Sequence, residues 1–177
     1  MNMTLDGFCD HTAMTADDEI HQHYTDLLNS AGTALYGGIT YQLMEFWPPL
    51  LKNPTGNKGM DDFAVAIDRI DKIVFSHTLE HIEWNTARIA KQGLEEEITA
   101  LKQQPGKPVL ICSPSLIVQA INLGLVDELQ LSVHPVIEGK GLQLFKNINN
   151  RVDLRLERTK TFGCGAVTFY YEQVKRS

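Results

Sequence analysis

Ser113-Pro114-Ser115 stands between an apolar run, Pro108 to Cys112, and a segment carrying Leu116, Ile117, Ala120 and Ile121 at helical spacing that stops at Gly124. A strand that turns into a helix in this way leaves the first helical N–H groups without intrahelical partners. It also presents the positive end of the helix dipole, and the two together hold a phosphate. A second strand follows, Glu128 to His134, ending at Pro135 and a Gly139-Lys140-Gly141 loop. The order strand, turn, helix, strand points to a nucleotide-binding α/β enzyme.

Other groups that could do chemistry read differently. Gly139-Lys140-Gly141 lacks the Ser/Thr and the spacing of a nucleoside-triphosphate loop and reads as a flexible turn bordering a substrate cleft. His77 and His81 are four apart but flank a strand end, so no metal site is expected. His21 and His23 are two apart on a predicted helix, cannot share a face, and are expected in solvent. Asp17, Asp18 and Glu19 lie in the first turn of a helix predicted to start near Thr15. Acids there are ordinary caps, and Thr15-x-x-Asp18 has capping-box form. Cys9 and Cys112 have no neighbour in sequence that would activate a thiolate and are expected in small, buried, apolar roles.

The elements that must position these groups alternate. Met1 to Leu5 reads as the tail of a strand ended by the turn pair Asp6-Gly7. A helix carries Ile20, Tyr24, Leu27 and Leu28 on one face. A short strand, Ala34 to Tyr36, turns at Gly37-Gly38 into a helix with Tyr41, Met44, Phe46 and Trp47, broken by Pro48-Pro49. Asn53 to Gly59 reads as an exposed loop, Phe63 to Ile70 as helix, and Lys72 to Phe75 as an apolar strand. After a loop around residues 81–85, Leu94 to Leu101 is an amphipathic helix with Glu95, Glu96 and Glu97 outside. Val152 to Thr161 and Ala166 to Val174 form a hairpin around Phe162 to Gly165. The whole is a single α/β domain, residues 1–177, with a mostly parallel central sheet, helices on both faces and a C-terminal antiparallel hairpin.

Composition sets the limits. The 177 residues are near the size of one domain, and 16 basic against 22 acidic residues give a net charge of −6. That balance argues against nucleic-acid or anionic-membrane partners. No apolar run reaches membrane-spanning length, and the first residues lack a secretory pattern. Three scattered cysteines fit a reduced, cytoplasmic compartment.

Four blocks, Thr4-Leu5-Asp6-Gly7-Phe8, Tyr36-Gly37-Gly38-Ile39-Thr40-Tyr41, Lys72 to Leu79, and Gly124-Leu125-Val126-Asp127-Glu128-Leu129, occur in the order seen in the dihydrofolate-reductase-like family. With His134 to Gly139 and the closing hairpin, the chain more narrowly resembles stand-alone proteins similar to the reductase half of the bifunctional riboflavin-biosynthesis deaminase/reductase. The resemblance implies a three-layer fold and a homodimeric, NADPH-dependent reductase acting on a pteridine- or pyrimidine-like small molecule. It implies cofactor contacts at Gly37 and Thr40, at Ser76, His77 and Thr78, and at Ser113, Pro114, Ser115 and Leu116. It places Asn2, Asp6 and Gly139 toward substrate and a proton-donating carboxylate at the start of the first helix, of which Asp18 is the choice among Asp17, Asp18 and Glu19. This chain has Gly37-Gly38 where the family often has Gly-Arg, and Cys112-Ser113 where relatives commonly have Gly-Gly. Those departures keep open a noncatalytic binding module on the same fold.

Overall fold

The computed structural model describes residues 1–9, 12 and 17–174. Its contacts divide the chain into two compact units, residues 18–116 and residues 1–17 with 117–177. Thr15, on which the capping-box reading rests, lies outside the described residues, as does most of the loop before the first helix.

In the unit of residues 18–116, α1 (Asp18–Ser30) leads to β2 (Thr33–Gly37), α2 (Gly38–Met44), a 3-10 turn (Pro48–Leu51), α3 (Lys58–Arg69), β3 (Asp71–Phe75), β4 (Ala87–Ile89), α4 (Leu94–Lys102) and β5 (Val109–Ile111). The four strands form one wholly parallel sheet in the order β4-β3-β2-β5. Leu28, Ala31, Ala34, Tyr36, Tyr41, Ile67, Ile70, Val74 and Trp84 make its core.

Several boundaries differ from the sequence reading. The α2 helix stops at Met44, before Phe46 and Trp47. Neither Pro48 nor Pro49 can donate to the carbonyls of Met44 and Glu45, so the i to i−4 ladder ends there. The α3 helix begins at Lys58, inside the expected loop, because the Asn57 side chain caps it by accepting from Met60 N–H at 2.9 Å. His23 is buried and His21 half-buried against Phe63, not in solvent. Periodicity marks one apolar stripe, but α3 packs on α1 from a second side.

Glu97 is likewise not outside. It is 4 % exposed, and its carboxylate accepts from Arg88 Nη1 at 3.0 Å, Arg88 Nη2 at 2.8 Å and Lys91 N–H at 3.1 Å. Arg88 lies on β4, a three-residue strand too short to show alternation in sequence. The bidentate Arg88 guanidinium holds the Glu97 carboxyl below its ordinary value.

Lys72, on the apolar β3, is 1 % exposed. Its ammonium donates to Ile70 O at 2.7 Å, Asp68 O at 3.2 Å and Thr86 Oγ1 at 2.6 Å, and lies 4.0 Å over the Trp84 ring. Trp84 Nε1 in turn donates to Asp68 Oδ1 at 2.7 Å. A buried cation thus meets the carbonyls that α3 leaves unpaired at its end and ties them to the segment before β4.

In the second unit, β1 (Asn2–Thr4) pairs parallel with β6 (Glu128–His134), which pairs antiparallel with β8 (Val167–Gln173), itself paired with β7 (Leu154–Thr161). The sheet order is β1-β6-β8-β7. The helix α5 (Pro114–Asn122) ends as expected at Gly124, whose φ of 68° suits glycine. No helix of the described residues is long and apolar enough to cross a membrane.

Burial pushes the Lys72 ammonium down to about 8 from 10.5, against the opposing pull of Asp68 and Asp71. Between those values the unfolded chain holds a proton that the folded chain has released, so stability rises with pH across that window. Urea titrations of wild type and Lys72→Met from pH 7 to 10.5 should show the stability difference between them shifting toward the wild type across that window, over whatever pH dependence the two share.

Candidate functional site

The strand register decides which groups meet. Gly37 pairs with Phe75 and Leu35 with Ile111, so the carboxyl ends of β2, β3 and β5 lie along one edge of the sheet. From β2 the chain goes to β3 and β4 on one side and returns to β5 on the other. The gap between β2 and β5 is therefore the point where strand order reverses, the usual ligand position in an open α/β sheet.

Three of the expected cofactor segments end at this edge. Gly37 closes β2 in extended backbone, with φ −77° and ψ 160°. Cys112 N–H still donates to Leu35 O at 2.9 Å, but beyond it the chain turns into α5, and the next rung is made by a side chain. Gly37 N–H donates to Ser113 Oγ at 2.7 Å, and Ser113 is 1 % exposed. Pro114 is the first residue of α5, where a missing N–H costs nothing, and Ser115 is exposed beside it. Leu116 is 5 % exposed; its side chain is core, leaving only its backbone toward a ligand.

Ser76 follows β3 and its Oγ accepts from Thr78 N–H at 3.2 Å and Leu79 N–H at 3.1 Å. His77 and Thr78 are exposed, and Thr40 is half-buried in the first turn of α2. Ser76 also accounts for Gly38. A Cβ at Gly38 would lie 2.9 Å from Ser76 Oγ and 3.1 Å from Ser76 Cβ, so no arginine, nor any side chain, fits there without movement. The donors that remain at this edge are hydroxyls and the start of a nine-residue helix, a set that suits a diphosphate without supplying a cation.

Asp18 is the first residue of α1 and is exposed. Its Oδ1 accepts from Asn57 Nδ2 at 3.2 Å. A Cβ at Gly59 would stand 3.2 Å from that oxygen and 3.3 Å from His21 Cβ. Asn57 and Gly59 therefore set the Asp18 position. The sequence reading missed both, although an Asn three residues before Met60 is an N-cap signal.

In the other unit the Asp6 carboxylate is fully engaged. Oδ1 accepts from Thr4 Oγ1 at 2.6 Å and Glu138 N–H at 3.2 Å, and Oδ2 accepts from Gly139 N–H at 2.7 Å. These bonds, Thr4 foremost, hold the carboxyl below its ordinary value. Gly139 has φ 76°, a conformation that favours glycine. Asp6 and Gly139 are thus brought together directly, while Asn2 Oδ1 pairs with His134 Nε2 at 3.1 Å. Asp17 Oδ2 accepts from Cys164 N–H at 3.0 Å, which anchors the hairpin turn. Cys9 and Cys112 are half-buried, and desolvation pushes both thiols up to about 11, away from thiolate chemistry.

The sequence matches the RibD C-terminal domain family over residues 1–168. The chain belongs to that family. It is 36% identical over 173 residues to the uncharacterized protein YyaP of Bacillus subtilis (strain 168), covering 96% of this chain and 90% of that protein. YwjB of the same strain, also uncharacterized, is 28% identical over 149 residues, covering 84% and 77%. Among solved structures, a putative riboflavin biosynthesis protein from Shewanella sp. PV-4 superposes with a TM-score of 0.72 at 14% identity, covering 99% of this chain and 97% of that one. A pyrimidine reductase-like protein from Corynebacterium diphtheriae gives 0.66 at 16% identity, covering 99% and 90%. The deaminase/reductase of Thermotoga maritima gives 0.64 at 16% identity, with 98% of this chain spanning 55% of that one. These likenesses carry the fold, which is mixed α/β of the dihydrofolate-reductase-like kind.

Gly38→Ala should cost about 1–2 kcal/mol in urea unfolding, through overpacking against Ser76. In a Ser76→Gly background, itself weakened by loss of the Thr78 and Leu79 bonds, the same Gly38→Ala change should cost much less. A harmless Gly38→Ala would remove the steric explanation for this glycine.

Proposed function

We propose that the chain is an NADPH-dependent reductase that delivers a hydride to an electron-poor C=N or C=O carbon of a pteridine- or pyrimidine-like small molecule. The observation that carries this reading is the family match across nearly the whole chain, joined to the alignment of Gly37, Ser76 and Ser113 along one strand-end edge. When bound, the reduced nicotinamide supplies the hydride. The residues proposed to hold the dinucleotide are Thr40, Ser76, His77, Thr78 and the first turn of α5 from Pro114 to Leu116, with Gly37 leaving room at the strand end for its close approach. After hydride delivery the substrate heteroatom carries negative charge and takes a proton. We assign that donation to Asp18, oriented by Asn57. A reduced, cytoplasmic setting goes with the same reading.

One observation favours a noncatalytic binding module instead. The Gly37 amide is already bonded to Ser113, and Gly38 leaves the edge without a phosphate-clamping cation. Thermal melts with NADPH and with NADH separate the two. At one hundred times its Kd, a dinucleotide adds about 2.7 kcal/mol to unfolding, and so raises Tm by about 5–10 °C at this size. NADPH stabilisation with a weaker NADH response is expected, and Asp18→Asn should then lower turnover about a hundredfold or more with Kd unchanged. No shift at millimolar dinucleotide would leave the binding module.

The partner proposed alongside substrate is a second copy of this chain, seated on β7. Every residue of this eight-residue edge strand is exposed, Leu154 and Leu156 by 40% and 49%, beside the stacked rings of Phe169 and Tyr171. Its arginines are paired locally, Arg155 with Glu157 and Glu172 and Arg158 with Glu128, and the Lys160 ammonium lies 5.0 Å over the Phe162 ring, which limits repulsion between two copies. Light scattering should find a dimer that Leu156→Asp converts to monomer with unchanged far-UV circular dichroism. A monomeric wild type would discard the interface.

A further inference from the structure

The parallel ladder between β2 and β5 runs out where β5 turns into α5, and the first amide beyond it is Gly37 N–H. An amide freed at a switch point, on a residue with no side chain, is open to a phosphate oxygen. In this chain it is already taken. Ser113 Oγ accepts from it at 2.7 Å, and Ser113 is 1 % exposed, so nothing from solvent reaches the bond without displacing the hydroxyl. An ideal Cβ at Gly37 would lie 3.5 Å from Ser113 Oγ, 3.6 Å from Ser113 Cβ and 3.7 Å from Ser115 Oγ, so the space on that side is occupied by these two serines.

We propose that Ser113 is a positioning residue that closes the Gly37 amide to the dinucleotide and shifts diphosphate binding to the Ser115 hydroxyl and the first turn of α5. The proposal rests on the reductase reading for the identity of the ligand, but not for the hydrogen bond that it concerns. The side chain acts through the amide it occupies. A serine there keeps the β2 and β5 ends joined without ligand and withholds one donor from the phosphates. Ser115, exposed one residue into the helix, is then the nearest hydroxyl free to face a ligand.

Ser113→Gly and Ser113→Ala both release the amide, and the glycine variant also removes the Cβ. In 15N-labelled protein titrated with inorganic pyrophosphate, the Gly37 amide resonance should move only slightly in the wild type, as expected of a ligand nearby but not bonded to it, and saturably by a much larger amount in either variant. NADPH should bind the variants about tenfold more tightly, since each gains a charge-assisted bond. Hydrogen exchange on the wild type without ligand gives a check independent of the variants, with Gly37 expected among the protected amides. Three results would overturn the proposal: a Gly37 resonance that moves equally in wild type and variants, one that moves in neither variant, or a fast-exchanging wild-type amide. Pyrophosphate-induced movement in the variants with no NADPH binding to any form would retain the role of Ser113 and reject the reductase reading instead.

Discussion

A parallel strand leaves amides unpaired as soon as its neighbour turns away, and each must find another partner or face solvent. The edge formed by β2, β3 and β5 is arranged around that requirement. Ser113 takes the Gly37 amide, Ser76 takes those of Thr78 and Leu79, and Gly38 gives up its side chain so that Ser76 can sit beside it. Hydroxyls therefore finish the ladder at β2 and cap the loop that follows β3.

The carboxylates divide by partner rather than by position in sequence. Asp17 and Asp18 are adjacent, yet one accepts from the hairpin turn at Cys164 and the other from the Asn57 amide group. Asp6 spends both oxygens on the loop at Glu138 and Gly139. The Asp6 carboxyl, held below its ordinary value by the Thr4 hydroxyl and the backbone N–H bonds, is fixed in place, which suits positioning better than proton donation. Asp18 bonds to a neutral side-chain amide.

Buried charge is used sparingly and always with compensation. Lys72 gathers three oxygen acceptors and an aromatic face, and Glu97 gathers a guanidinium and a backbone amide. Each ties one element to another: Lys72 the end of α3 to the approach to β4, and the Arg88–Glu97 pair β4 to α4. Such groups read as surface residues in a periodicity argument, because their burial depends on partners many residues away.

Most of the element order, the parallel strands of residues 18–116, the closing hairpin and the family were legible in the chain itself, and the three-residue β4 was not. They depend on local signals: apolar periodicity, Gly and Pro punctuation, and short blocks in a fixed succession. The strand ends that gather at one edge were legible for the same reason, since a turn after an apolar run marks them. What those ends do was not. Gly37 and Ser113 are 76 residues apart, Asp18 and Asn57 are 39 apart, and Asp6 and Gly139 are 133 apart. Whether an amide or a carboxylate is open to a ligand or already bonded depends on such distant partners, and only the folded chain brings them within hydrogen-bond reach.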